Sequence, residues 1–129
     1  ECPPGLPIGC SRVAVLNSHR TGGVEPLEVR GVELGLVTDA FKSTAEKAGG
    51  RLLYRGAIAD GSAGEFQHYR FISTLFGFPD DLFARVSLTA EEAAVLVEVQ
   101  GQLRIGYGDM DVNTNRNIRL LQSVKEATS

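Results

Sequence analysis

The chain has 129 residues, and its 13 Lys and Arg against 16 Asp and Glu leave a formal charge of −3 at pH 7. A chain of this length usually folds as one domain with a self-sufficient core, so we expect a single domain over 1–129, with a loop over 1–11 and the core over 12–129. The slight acidity excludes an overall positive field that would attract nucleic acid or an acidic membrane. No run approaches the roughly 20 apolar residues of a transmembrane segment, and no leader is visible, so we expect the chain as given to be soluble.

Cys2 and Cys10 bracket the Pro- and Gly-rich segment PPGLPIG at the start of the chain. Two Cys and two His at this spacing match no standard zinc pattern, and such a loop can bring two thiols together. A disulfide between them would stabilise the fold by about 2–3 kcal/mol and would persist in an oxidising compartment such as a periplasm or lumen. Two unrelated thiols on a floppy terminus are the alternative.

Hydrophobic periodicity predicts, in chain order, a short strand, a helix, four strands and a closing helix. The first helix ends at the stop signal Gly49-Gly50, and the last strand alternates apolar and polar residues as a half-exposed antiparallel strand does. The predicted ranges are 11–16 for the short strand, 32–48 for the first helix, 51–59, 67–76, 82–88 and 94–105 for the four strands, and about 113–127 for the last helix. We expect an α+β fold in which a four-stranded antiparallel meander carries both helices on one face, with a short N-terminal strand added.

The apolar residues of the last two strands indicate their register. When the apolar residues that face the core on the two strands are paired, Arg85 lies opposite Glu98 and Phe83 lies opposite Gln100. Continued along the ladder, this register brings polar residues from several segments to one end of the sheet. The predicted polar cluster consists of Asp80, Asp81, Arg104, Asp109, Asn113 and Arg116. Its simplest role is a network that pins the last helix to the sheet, and the alternative is a pocket with an Asp as general base and an Arg holding an anionic substrate.

The stretch GDMDVN places Asp109, Asp111 and Asn113 at alternate positions, as the opening of a calcium loop does. An EF-hand also needs Gly at its sixth position and Glu at its twelfth, where this chain has Thr114 and Leu120. We therefore reject the calcium hand, predict no metal and no cofactor, and expect Asp111 or Asn113 to cap the last helix. A looser cation site made from the aspartates of the polar cluster stays open, although the two arginines of the cluster can neutralise them without a metal.

The sheet face turned away from the helices is the second candidate site. Arginines from all four strands can point out from this face, together with aromatic and aliphatic side chains. The predicted interface comprises Arg55, His68, Arg70, Ile72, Phe76, Phe83 and Arg85, with Arg104 beside them. Such a mixture is typical of protein interfaces, whereas the alternative is a solvated face in which Arg85 is balanced by Glu98. Net acidity and the lack of a ribonucleoprotein motif argue against RNA.

No catalytic constellation is visible in the sequence. Ser73, Ser87 and His68 fall on different strands or faces, without a motif that joins a nucleophile to a base. The segments TGG, AGG and GSAG are turns, and none has the G-x-G-x-x-G spacing of a phosphate loop. We therefore predict no catalytic residues.

The segments FGFPDDLFARV and LVEVQGQLRIGYGDMDVNTNRNIRLL resemble the uncharacterised family known as domain of unknown function fourteen ninety-nine, DUF1499. The family pattern has an F-x-D-D strand, a strand ending in Arg and Gly, an Asp two or three residues on, and an N-x-x-R helix start. The matching residues are Asp80, Asp81, Arg104, Gly106, Asp109, Asn113 and Arg116. The early CPPGLPIGCS is similar to the family's cysteine-containing segment, so the resemblance spans most of the chain.

The chain departs from this family pattern at two places. QGQLR stands where the family tends to have Ser-x-Ser-Arg, and Asn117 follows Arg116 where an apolar residue is expected. Members occur in bacteria and photosynthetic eukaryotes, commonly with export or plastid leaders, which implies an extracytoplasmic or thylakoid-lumen setting. The family has no established activity to transfer.

These features together lead to two functional expectations. The first is a non-enzymatic accessory or binding domain that docks a protein partner through its open sheet face, with a membrane complex as one candidate partner. The second is a small enzyme or anion-binding protein that uses Asp81, Asp109, Arg104 and Arg116 at the end of the sheet.

Overall fold

The computed structural model describes residues 1–4, 9–72, 79–89, 94–103 and 111–129, and within them it has six strands and two helices. In chain order the elements are β1 (Cys10–Val13), β2 (Leu27–Arg30), α1 (Leu34–Lys47), β3 (Arg51–Ala57), β4 (Gly64–Ile72), β5 (Pro79–Leu88), β6 (Ala94–Leu103) and α2 (Val112–Ala127). Neither described helix is long and apolar enough to cross a bilayer.

The strands form one antiparallel sheet in the order β1-β6-β5-β4-β3, and β2 also pairs with β6. The predicted α+β class is confirmed. The predicted four-stranded sheet is too small, because β1 and β2 extend the β3 to β6 meander along the outer edge of β6. The ten residues of β6 are long enough to pair end to end with two four-residue strands. Strand β2 was missed because four residues give almost no alternation to read.

The register predicted for β5 and β6 is confirmed. Phe83 pairs with Gln100, and Arg85 pairs with Glu98. Because side chains alternate between the two faces of a strand, this register puts the buried apolar residues of β5 and β6 on the same side of the sheet. These buried residues are Leu82, Ala84, Val86, Val95, Val97 and Val99.

Both helices pack on that apolar side and complete the core. Helix α1 contacts β3, β4 and β5, whereas α2 contacts β6, β1 and β2, and the two helices touch each other. In α1 the buried residues Val37, Phe41 and Ala45 recur every four positions, so they form one stripe facing the sheet. The helix stops at Gly49, which has a φ of +100° that a residue with a side chain rarely adopts.

Neither of the two described helices lies on the opposite side of the sheet, and we call this side the open face. Its only described cover is the start of the chain, which is tied down by a disulfide between Cys2 and Cys10, as predicted, with an S–S distance of 2.04 Å. Cys10 pairs with Gln102, and Gln102 belongs to the open side of β6. The Gln100 Nε2 atom also donates a hydrogen bond to the Glu1 carbonyl at 3.2 Å. The segment 1–3 therefore lies over the β1, β6 and β5 part of the open face.

Candidate functional site

Two neighbouring aspartates of β5 show how the sheet separates the predicted site residues. Asp80 pairs in register with Leu103 and is fully buried under the helices, whereas Asp81 pairs with Gln102 on the open face. Consecutive residues of a strand must point to opposite faces. The two aspartates, which the sequence grouped in one cluster, therefore face opposite sides of the sheet, and their partners among the described residues differ.

On the helix side, Asp80 belongs to a buried network with the start of α2. Its Oδ2 atom lies 3.2 Å from Nη2 of Arg116, and Nη1 of Arg116 donates to Oδ1 of Asn113 at 3.1 Å. The Arg116 guanidinium also lies 4.3 Å from the centre of the Phe71 ring, a favourable cation–π position. On the sheet beneath, a Cβ at Gly101 would come within 2.5 Å of Asn113 Oδ1, so glycine lets the helix approach. This network fixes α2 against the sheet.

A second polar contact joins α2 to the edge of the sheet. The Asn117 side chain is fully buried, and its Nδ2 donates to the Ser11 carbonyl at 3.0 Å and to the Ser11 hydroxyl at 3.1 Å. A polar residue stands at this position, where an apolar one was expected, because it bonds to the backbone of β1.

The prediction that the side chain of Asp111 or Asn113 caps α2 is wrong. Asp111 does occupy the N-cap position, but its backbone is left-handed, with a φ of 64°, and its side chain makes no capping hydrogen bond. Its carboxylate pairs instead with Arg20 from the loop after β1. Asn113 lies inside the first turn, where it serves the buried network.

The described residues do not assemble the alternative anion site. Arg104 and Asp109, two of its four predicted members, lie outside the described residues, as do Phe76 of the predicted interface, Ser73 and Gly106. The other two members, Asp81 and Arg116, are held on opposite faces of the sheet by separate partners. Within the part of the chain that the structure describes, no group of three or more His, Cys, Asp or Glu side chains is arranged to hold a metal ion.

The open face carries a row of aromatic rings that crosses three strands. Tyr54 of β3 contacts Phe66 of β4 with 6.3 Å between ring centres, and Phe66 stacks on Phe83 of β5 at 6.0 Å. The imidazole of His68 also stacks on the Phe83 ring, with 4.5 Å between ring centres. Gly56 makes room for the row, because a Cβ there would collide with the Tyr54 hydroxyl. Sequence reasoning missed Tyr54 and Phe66.

Ion pairs lie on both sides of this aromatic row. Asp81 accepts a hydrogen bond from Arg70 Nη2 at 3.0 Å and lies 2.9 Å from His68 Nε2. Arg85 reaches Glu98 at 3.1 Å and Asp60 at 3.3 Å. Hydrogen bonds from Ser62 and the nearby Arg85 lower the pKa of Asp60, so this carboxylate stays charged at neutral pH. Among the described residues, the side-chain hydrogen-bond partner of His68 is Asp81 rather than a hydroxyl or thiol.

Arg55, one of the predicted interface residues, points to the helix side instead. The pairing of β3 with β4 shifts between Leu52 and Tyr54, which is the signature of a β-bulge. One extra residue reverses the alternation, so Arg55 lies 2.7 Å from Asp39 of α1 and also pairs with Glu65. These two carboxylates raise the pKa of its guanidinium further above its usual range. The open face of β3 is formed by Arg51 and Tyr54 instead.

The open face has two halves: segment 1–3 covers one of them, and no other described segment covers the second. The bare half, on β3 and β4, consists of Arg51, Tyr54, His68, Arg70 and Ile72. Tyr54 is 52% exposed and Ile72 is 60% exposed, which is high for large apolar side chains of a sheet. The covered half, on β5, β6 and β1, lies under segment 1–3 and holds a groove of about 400 Å³. The predicted interface residues Phe83 and Arg85 line this groove.

Comparison with known proteins places the whole fold in one family. No curated protein and no solved structure matches the chain. A family model described as Protein of unknown function (DUF1499) matches residues 10–124, which include all six strands and most of α2. The resemblance of the strand and helix motifs is thereby confirmed, and the chain belongs to the DUF1499 family of proteins of unknown function.

Proposed function

We propose that this protein is a non-enzymatic binding domain that docks a protein partner through the bare half of its open face. The observation that carries the proposal is the pair of large side chains, Tyr54 and Ile72, that are exposed on a face that neither described helix covers. Exposed apolar groups combined with arginine and an aromatic row have the composition of an interface core. Covering these two side chains with a partner would remove apolar surface from water, which favours association.

The charges of the bare half indicate the chemistry of the partner. Arg51 and Arg70 are directly opposite each other across β3 and β4, an arrangement in which like charges repel. Arg70 is neutralised by Asp81, but Arg51 forms no ion pair with any described residue. One positive charge is thus left beside two exposed apolar side chains. The partner that fits presents a carboxylate next to an apolar side chain.

The compartment belongs to the same proposal. The Cys2–Cys10 disulfide is the type of bond that persists outside the reducing cytosol. We place the domain in an oxidising, extracytoplasmic compartment such as a periplasm or thylakoid lumen, where the partner must also be exposed. Alkylation of free thiols in freshly lysed cells checks this, because the proposal requires both cysteines to be protected before reduction.

A pull-down with matched surface variants tests the docking face. Immobilised wild-type protein, Ile72→Asp and Leu36→Asp are incubated with extract from the native compartment, and bound proteins are identified by mass spectrometry. Leu36 is 57% exposed on α1, so the control removes a similar apolar group from the other side of the molecule. We expect one partner to bind the wild type and Leu36→Asp but not Ile72→Asp. Equal retention by all three proteins, or selective loss with Leu36→Asp, contradicts the proposal.

A further inference from the structure

The groove on the covered half of the open face adjoins the bare half through the aromatic row, and it has the features of a small-molecule site. Its volume of about 400 Å³ lies within the range of about 300–1,000 Å³ that is usual for ligand pockets. The floor is made by the rings of Phe66 and Phe83, which stack with an interplanar angle of 26°. Glu1 and Pro3, from outside the sheet, supply the outer wall. The groove therefore has an aromatic floor and an outer wall that contains Pro3.

Segment 1–3 is held in place as a wall by two independent contacts. The disulfide links Cys2 to β1, and Gln100 of β6 donates a hydrogen bond to the Glu1 carbonyl. Gln100 is itself buried and oriented by Gln102, whose Oε1 accepts a second hydrogen bond from Nε2 at 2.7 Å. The outer wall is therefore tied to the sheet at two points, which reduces the entropy that binding would cost.

Four charged residues line the groove: Glu1, Arg12, Arg85 and Glu98. Arg12 is the arginine among them that has no carboxylate partner among the described residues. Arg12 donates hydrogen bonds to the Leu16 carbonyl and to Oε1 of Gln100, both at 3.0 Å, and both acceptors are neutral. It forms no ion pair with any described residue, whereas Arg85 across the groove is paired with Glu98 and Asp60. A guanidinium has five N–H groups, so Arg12 still has donors left for an anion.

We propose that the groove binds a small molecule that combines a flat apolar ring system with one anionic group, such as an aromatic carboxylic acid. The ring system lies on Phe66 and Phe83, and the carboxylate accepts hydrogen bonds from Arg12. The site goes beyond docking to a protein partner, because it uses neither Tyr54 nor Ile72. Loss of one activity therefore leaves the other intact.

The first test is an NMR titration of the isotope-labelled protein with 2-naphthoate, with the neutral 2-naphthalenemethanol as the comparison ligand. We expect naphthoate to bind with a dissociation constant of about 1 mM or tighter and to shift amide signals of β5, β6 and β1. The neutral alcohol should bind at least about tenfold more weakly, because it lacks the charge-assisted hydrogen bond. Shifts centred on the helices, equal affinity for both compounds, or no binding of either compound would overturn the proposal.

Matched variants locate the site within the groove. Arg12→Gln should weaken naphthoate binding about tenfold and leave the alcohol unaffected, whereas Arg30→Gln on β2 should change neither. Cys2→Ser releases the wall, so it should weaken both ligands while the amide spectrum of the sheet stays that of a folded protein. Naphthoate binding that survives Arg12→Gln, or tight binding of both ligands to Cys2→Ser, contradicts the proposed geometry.

Discussion

Asp80 and Asp81 are neighbours in sequence, yet they belong to regions of the molecule with different physical demands. Asp80 is enclosed by the helices, the sheet and the Arg116 guanidinium, with no contact to water. Asp81, on the open face, is itself 7% exposed, but its partners Arg70 and His68 are partly solvated. A buried charge that loses its partner cannot be rescued by solvent, whereas a partly solvated one can. We therefore expect the helix face to contribute more to stability, and the open face is where we propose that other molecules bind.

The largest effect should follow from breaking the buried pair. Arg116→Ala leaves the Asp80 charge under the helices and removes the contact with Phe71, so we expect the free energy of unfolding to fall by about 3–5 kcal/mol. Urea denaturation followed by circular dichroism measures this loss. Arg30→Ala is the control, because Arg30 is an exposed arginine whose carboxylate partner is 3.7 Å away, and it should change stability by less than about 1 kcal/mol. Equal losses in the two variants would contradict the structural role of the network.

A smaller loss is expected where α2 touches the sheet. Gly101→Ala places a methyl group within 2.5 Å of Asn113 Oδ1, so the helix must move or the side chain must change rotamer. Overpacking of this kind costs about 1–3 kcal/mol, measurable in the same urea experiment. Gly35→Ala, with open space around the added carbon, is the matched control and should be neutral or stabilising. A neutral Gly101→Ala would show that the helix start is loosely packed.

Removing a charge from the open face should lower the free energy of unfolding much less than Arg116→Ala does. Asp81→Asn keeps the size and the hydrogen-bonding oxygen but removes the charge, so we expect a loss of about 1 kcal/mol. The same variant leaves Arg70 uncompensated beside Arg51 and should alter partner binding more than it alters stability. A stability loss as large as that of Arg116→Ala would remove the distinction between the two faces.

The smallest expected effect is a pH dependence of stability caused by Tyr69 on the helix side, and it appears only at alkaline pH. Burial raises the pKa of its phenol, and its hydroxyl donates to Gln67 in the core. Because the folded state holds this proton more tightly than the unfolded state, the stabilisation is complete below the ordinary tyrosine pKa of about 10 and declines as pH rises above it. Tyr69→Phe should show a shallower decline in melting temperature between neutral and strongly alkaline pH. Identical slopes for both proteins would contradict this assignment.

Much of the fold could be predicted from the sequence because its long strands alternate cleanly. The register of β5 and β6 follows from their apolar sets, since a slip of one residue would turn every inward side chain outward. The start of β4 was placed too late because Glu65 and Phe66 follow directly on a Gly-rich turn. Extending the alternation of His68 and Arg70 back by two residues would have found Phe66 on the open face.

The errors concern which side of the sheet a side chain faces. The bulge in β3 turns Arg55 toward α1, and nothing in RLLYRGA distinguishes it from a regular strand. The Asp80 and Asp81 pair was grouped by proximity, although the alternation rule already separates adjacent strand residues. The predicted inward residues of β5, Leu82 and Ala84, already imply that Asp80 faces the helices and Asp81 faces the open side.

The central claim is that the bare half of the open face binds a protein partner, and site-specific photocrosslinking tests it most directly. A photoreactive benzoylphenylalanine replaces Ile72 in one variant and Leu36 in another, and each protein is irradiated in its native compartment. We predict one crosslinked protein, with an acidic residue near the crosslinked site, from position 72 and none from position 36. No crosslink from position 72, or the same products from both positions, would contradict docking through this face.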